Sequence, residues 1–400
     1  MNEKKDKLIP KLCFPEFSPS EGWESLSLAD IIHTVTPPKK LRSFNYHKSG
    51  KYPIIDQSQA PYCGYSDDEE ALINSEAGDM IVFGDHTCVI KYVDFPFVQG
   101  ADGIKIFYSK DASRVDTRFL YYYLRSIPLS SDEYKRHFSD LKEKIIQFPS
   151  SIIEQMKIAS FFSSLDDLLA GTKAKLERLK AHKKGLTQKL FPAPGKTLPE
   201  YRFPGFEEGK AWEVKCLGDV TTLVNRRNKS RRILPIYSIN NKQGFILQSE
   251  QFSGLDSSSR GYDTSLYKIV NSNLFAYNPA RINVGSIGYS GRIKEGIISS
   301  LYVCFKSSDA VLDDFLRCFF ETDQFRRSVD NNVEGGIRNY LFYENFSRIM
   351  IALPTIDEQK HIASSLRSIN DLIEKYENEL VFIENHRQGL MQQLFPKNTL

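Results

Sequence analysis

Residues 199–212 read PEYRFPGFEEGKAW, and residues 10–23 read PKLCFPEFSPSEGW. Pro10, Phe14, Phe17 and Trp23 return as Pro199, Phe203, Phe206 and Trp212, each 189 positions later, and Leu28, Asp30 and Ile31 return as Leu217, Asp219 and Val220. A second pair of blocks starts at Ser151 (SIIEQMKIASFF) and Thr355 (TIDEQKHIASSL), 204 positions apart; both run to a terminal Leu-Phe-Pro. The change of offset places about fifteen extra residues in the second half, a loop-scale insertion. The chain is therefore a duplication: variable region, helix block, variable region, helix block.

Both blocks read as long helices. Ser151 with Glu154 and Thr355 with Glu358 form capping-box pairs, and Pro192 and Pro396 end the helical pattern. Between them apolar residues alternate in steps of four and three. In the first block the seam includes Ile158, Leu165, Leu176 and Leu179; in the second it includes Ile362, Ile369, Leu380 and Ile383. Such a heptad seam argues for a coiled coil, and at 1.5 Å per residue each helix would be roughly 55–60 Å long. Lys183 and Arg387 interrupt the seam at one shared slot, where a cation can fix register. Gly185 and Gly389 lie off the seam and call for either a closely packed third helix or fraying. The first helix is basic from Lys173 to Lys189 and the second carries Glu374, Glu377, Glu379 and Glu384, a pattern that same-direction pairing would match better than opposite.

Four hundred residues exceed one ordinary core, and a composition 41% hydrophobic and 26% charged is that of a globular protein. A net charge of +3 requires any basic surface to be local. The six cysteines form no C-x-x-C, which points to reduced thiols; His86 and Cys88 have no second ligand pair, so no metal site is expected. The charged start MNEKKDKLIPK and the lack of any long apolar run predict neither a signal peptide nor a membrane span, hence a cytoplasmic location.

The variable regions mix short strand-like runs (MIVFG at Met80, GIKIFY at Gly103, NLFAY at Asn273) with helical ones from Thr117 and from Leu312. Basic clusters sit at matched places in the two regions. Lys39, Lys40, Arg42, Tyr46 and Lys48 form the first; Arg226, Arg227, Lys229, Arg231 and Arg232 form the second. Clustered cations bind phosphate through charge and counterion release. Glycine-flanked Arg281 and Asn283, with Arg338 and Asn339, add groups suited to base edges; His86 lies in FGDHTCVIK, the rough counterpart of the stretch holding Arg281. No P-loop, hydrolase elbow or Asn-Pro-Pro-aromatic motif is present, and no catalytic residue is assigned.

The repeated Phe-Pro-x-Phe…Trp stretches and the two Glu-Gln…Ile-Ala helices ending in Gln-x-Leu-Phe-Pro resemble the specificity subunit of type I restriction–modification systems, over essentially the whole chain. The resemblance implies a mixed α/β (α+β) fold with two target-recognition domains joined by two long helices forming an antiparallel coiled coil. The expected boundaries are 1–148 and 200–353 for the recognition domains, 149–192 and 354–396 for the helices, and 193–199 for a linker. It also implies a non-catalytic chain that reads a two-part site on double-stranded DNA and binds two methyltransferase subunits, with restriction subunits joining. S-adenosylmethionine, ATP and Mg would belong to those partners and none to this chain. Glu154, Gln155, Glu358 and Gln359 would be structural or partner-facing. A coiled-coil scaffold of another DNA-modifying defence complex, and an enzyme with an unrecognised nuclease site, are the alternatives.

Overall fold

The computed structural model describes residues 9–17, 23–74, 78–100, 103–129, 136–241, 243–333 and 340–396. It forms two compact units that do not follow chain order: unit 1 takes residues 1–174 and 378–400, unit 2 residues 175–377. Each unit combines one variable region, here called a reader, with the start of one long helix and the end of the other.

Reader 1 contains β1 (Glu24–Ser27), β2 (Ile32–Val35), β3 (Tyr52–Ile55), β4 (Gly64–Ser66), β5 (Leu72–Ile73), β6 (Met80–Gly84), β7 (Ile90–Val93), β8 (Phe97–Gln99), β9 (Ile104–Ser109) and β10 (Ile145–Phe148). Its helices are α1 (Leu28–Ile31), α2 (Thr117–Ser126) and α3 (Phe138–Glu143), followed by the long α4 (Ile152–Leu190). One sheet runs β2-β9-β6-β7, a second runs β4-β3-β8-β5, and β1 pairs with β10. Reader 2 has β11 (Glu213–Cys216), β12 (Thr221–Val224), β13 (Ile236–Asn240), β14 (Gly244–Leu247), β15 (Lys268–Asn271), β16 (Phe275–Tyr277), β17 (Ile287–Tyr289), β18 (Glu295–Ile298), β19 (Val303–Ser307) and β20 (Met350–Leu353). Its helices are α5 (Leu217–Val220), α6 (Gln248–Gln251), α7 (Asp313–Phe320), α8 (Asp323–Asn332) and α9 (Tyr343–Ser347), followed by α10 (Ile356–Leu394). The sheet orders β12-β19-β16-β17 and β14-β13-β18-β15 and the pair β11-β20 repeat reader 1 strand for strand. Even the one parallel contact of each reader recurs, β3 with β8 and β13 with β18. The extra residues fall mainly between β14 and β15 (248–267), where reader 1 has only 67–71.

The helical run from Leu312 is two helices, not one. The chain turns at Glu321–Thr322, and the Thr322 hydroxyl accepts from Phe325 N at 3.1 Å to cap α8. The long helices begin as expected, with Ser151 and Thr355 hydroxyls accepting from the N–H groups of Glu154 and Glu358, both at 3.4 Å. The Glu358 carboxylate bonds elsewhere: Arg202 donates to its two oxygens at 2.8 and 2.6 Å, a pair almost wholly buried.

The helices pair antiparallel, which overturns the alignment suggested by their charges. In unit 1 Asp166 meets Arg387 and Lys173 meets Glu384 at 2.8 Å, so advancing along α4 means retreating along α10. In unit 2 Lys180 pairs with Glu377 at 2.8 Å and Lys175 lies over the Tyr376 ring. Opposite pairing thus uses the basic stretch of α4 against acids of α10. The seam residues Ile158, Leu176, Ile362, Leu380 and Ile383 are buried, and Leu165, Leu179 and Ile369 are half-buried. Gly185 and Gly389 are neither packed nor frayed: a Cβ at either would meet nothing within 4 Å, and both helices continue past them.

The repeated words of the sequence meet in the cores. Trp23 packs edge-on to Phe395 and Phe119, while Phe162 stacks on Phe395 with ring centroids 5.7 Å apart. In unit 2 Trp212 and Phe315 close on Phe191. Each reader therefore completes its core with the Leu-Phe-Pro end of the helix that begins beside the other reader's sequence.

Buried Gln155 and Gln359 fasten each reader to a helix start. Gln155 accepts from Asp116 N at 2.9 Å and donates to the carbonyls of Arg114 and Pro149, both at 2.8 Å. Gln359 accepts from Leu312 N at 2.9 Å and donates to the carbonyls of Ala310 and Pro354. With three hydrogen bonds each and essentially no exposure, these glutamines, like Glu358, offer a partner subunit nothing.

Candidate nucleic-acid interface

The two basic clusters occupy the same connection of the fold, between β2 and β3 in reader 1 and between β12 and β13 in reader 2. They are built differently. In reader 2 the loop is pinned by Asn228, which is fully buried. Its side chain donates to Arg232 O at 2.9 Å and accepts from Arg232 N at 3.0 Å, and its own N–H bonds Tyr267 O. This clamp holds Arg231 at a φ of 51°, a left-handed conformation that costs a non-glycine residue about 1 kcal/mol. Arg232 forms a bidentate pair with Glu295 at 2.9 and 2.6 Å, and Arg231 reaches Asp263 at 3.9 Å. Arg226, Arg227 and Lys229 are exposed, with no ion pair among the described residues. Beside them Ile233 stands fully exposed.

In reader 1 the acidic turn between β4 and β5 folds against the cluster. Lys39 meets Asp68 at 2.7 Å and Glu70 at 3.5 Å, and Lys51 meets Glu69 at 2.7 Å. The Lys39 hydrogen bond holds the Asp68 carboxyl below its ordinary range, as Lys51 does for Glu69. Tyr46 is half-buried, its hydroxyl directed at Leu41 O, so it is a wall of the loop rather than a free recognition group. Lys40, Arg42 and Lys48 are exposed, as is Phe44 between them. Lys39 and Arg232, assigned to DNA from their spacing, are thus already engaged by acids distant in sequence, which local reading does not reveal.

His86, Arg281 and Asn283 lie on a second pair of equivalent connections, β6–β7 and β16–β17. Arg281 and Asn283 are exposed on the latter, and Asn241 Nδ2 bonds Val284 O at 3.0 Å to join this loop to the β13–β14 turn. Glycines are needed where those segments touch: a Cβ on Gly288 would fall 3.1 Å from Gly244 Cα. His86 sits half-buried in the short β6–β7 turn. Strand β7 after that turn is tied to the β3–β4 loop by Lys91, whose ammonium donates to Asp56 O and Ala60 O at 2.8 and 2.6 Å. Burial lowers the Lys91 pKa against the opposing pull of Asp56, which marks it as a structural cation. Arg338 and Asn339 lie outside the described residues.

Residues 20–181 match the family model described as the type I restriction modification DNA specificity domain. Over those residues the chain is similar to a type I restriction–modification specificity domain. The matched stretch spans reader 1 and most of α4, and reader 2 repeats the topology of reader 1 strand for strand. A type I restriction enzyme specificity subunit of Escherichia coli is 24% identical over 207 residues, 49% of this chain and 48% of that protein. The chain spans about half the length of the curated relatives it matches. The crystal structure of a type I restriction-modification system S subunit from M. genitalium shares the fold over 98% of this chain and 100% of its own, with a TM-score of 0.67 at 16% identity. A structure titled for complex assembly and conformational transition of the type I R-M system covers 94% and 98%, with a TM-score of 0.50 at 13% identity. Among the described residues no helix is long and apolar enough to cross a membrane.

Proposed function

We propose that this chain is the DNA-reading specificity subunit of a type I restriction–modification complex. Each reader contacts one half of a two-part site on double-stranded DNA, and the paired helices fix the register between the halves. The observation that carries this reading is the strand-for-strand duplication around a specificity domain, with a basic loop at the same connection of each reader. Two identical partners can dock equivalently only on a pseudo-twofold frame, and two methyltransferase subunits, with restriction subunits joining, are the partners that reading supplies. The chemistry of S-adenosylmethionine, ATP and Mg belongs to them, in the cytoplasm, and this chain is not catalytic.

Phosphate contact falls to Arg226, Arg227, Lys229, Lys40, Arg42 and Lys48, and base-edge contact to Arg281 and Asn283. The backbone strain at Arg231 supports the reader 2 loop as the principal contact, since strain held by a buried clamp is characteristic of recognition sites.

The test is to co-express the chain with its methyltransferase in a methylation-free host and map adenine methylation across the genome. A two-part motif with a fixed gap that vanishes without this chain is expected. A confirmed complex with no such motif would overturn the reading.

A further inference from the structure

Lys183 of α4 and Arg387 of α10 share one slot of the repeat, and each meets an acid within its own unit, but the acids come from different places. In unit 1 the acid is Asp166 on α4. Arg387 Nε lies 2.7 Å from it, and reader helix α2 adds Arg125 and the Tyr122 hydroxyl, both at 3.1 Å. In unit 2 the residue 204 positions beyond Asp166 is Asn370, and the acid is instead Glu321 at the end of α7, which pairs with Lys183. Lys183, Glu321 and Asn370 line one cleft. The glutamine clamps fix the correspondence: Gln155 binds Asp116 N and Gln359 binds Leu312 N, so α2 and α7 align at an offset of 196 and Arg125 corresponds to Glu321.

We infer that this charge exchange decides which reader each helix seat accepts. Reader 2 brings its own acid to the seam cation. Reader 1 brings a second cation and depends on the helix for the acid. Seated on the frame of unit 2, reader 1 would put Arg125 against Lys183 with Asn370 beside them, two cations and no acid. Lys183 and Arg387 are mostly screened from water, their side chains 19% and 13% exposed, so the mismatch is felt. Seated on the frame of unit 1, reader 2 would set Glu321 and Asp166 around Arg387, which leaves the cation satisfied. Reader exchange is therefore directional, and under the function proposed above this fixes which half-site is read from which seat.

The seating rule is tested without DNA, so its failure is separate from failure of that function. Glu321→Arg in the full chain imitates reader 1 on the second seat and should lower the melting temperature by about 5 °C. Adding Asn370→Asp recreates the unit 1 trio and should restore most of the loss. Asn370→Asp alone, which faces Glu321, should not stabilise. If E321R fails to accumulate as folded protein, recovery of folded E321R/N370D supports the rule. E321R melting with the native chain, or a double variant no more stable than E321R, would overturn it.

Discussion

The two readers share every strand and differ in how they hold their basic loops. Reader 1 sets Lys39 and Lys51 against Asp68, Glu69 and Glu70, whereas reader 2 fixes its loop with one buried asparagine, pairs Arg231 and Arg232 with Asp263 and Glu295, and leaves Arg226, Arg227 and Lys229 to solvent. Equal topology therefore does not mean equal electrostatics. A cation count along the chain would rank the loops alike, but the count that matters includes acids brought in by the next hairpin.

The largest expected difference between the halves is in stability. Arg202→Ala removes the partner of Glu358, whose side chain is 1% exposed, and uncompensated buried charges cost about 3–5 kcal/mol. Cys13 occupies the corresponding place in the first copy, so Cys13→Ala should change little. Thermal denaturation of both variants checks the contrast. Gln155→Leu and Gln359→Leu should instead behave alike, each destabilising its unit by roughly 2–3 kcal/mol as buried backbone groups lose their partners; a large disparity in urea titrations would mean that the clamps are not equivalent.

Next comes DNA binding. The triple variant Arg226→Ala, Arg227→Ala, Lys229→Ala should lower affinity for the methylated motif at least tenfold, reducing the magnitude of the salt dependence by about 2–3 in log–log slope. Arg42→Ala with Lys48→Ala should do less, because the acidic turn already weakens the field at that loop. Equal losses measured by fluorescence anisotropy across a salt series would remove the distinction. Smaller still, Gly185→Ala should raise stability by about 1 kcal/mol, since the added methyl meets open space and a helix interior favours alanine. Last, burial pushes the thiols of Cys304 and Cys318 up to about 12, so at pH 8 both should be alkylated more than about tenfold slower in the native chain than in urea.

The duplication, both long helices and the seam were legible because they rest on local periodicity and on residues repeated at one spacing. The antiparallel direction of helix pairing followed from the family resemblance and not from the charges. The charges of α4 and α10 suggested one alignment, but Lys173–Glu384 and Lys180–Glu377 realise the other, since complementarity depends on which faces meet. The sheet order was hidden, because short buried strands such as MIVFG carry no record of their neighbours. In the candidate interface the sequence located the loops; Asn228 escaped notice because a polar residue in a basic run reads as surface. A signal existed in its place four residues before Arg232, the spacing at which a side-chain amide can bridge a loop's two ends.

Phe395, stacked among Trp23, Phe119 and Phe162, has a consequence for how the molecule is made. A ribosome delivers reader 1 first, yet the ring that fills its core arrives more than two hundred residues later. Until then the aromatic hollow among Trp23, Phe119 and Phe162 lacks the ring that fills it. Reader 2, whose Phe191 precedes it on the tape, has its corresponding ring already in hand when its own strands emerge. Vectorial synthesis thus gives the two copies opposite schedules: the half translated first is the half completed last, and a premature stop before residue 391 damages the beginning of the protein.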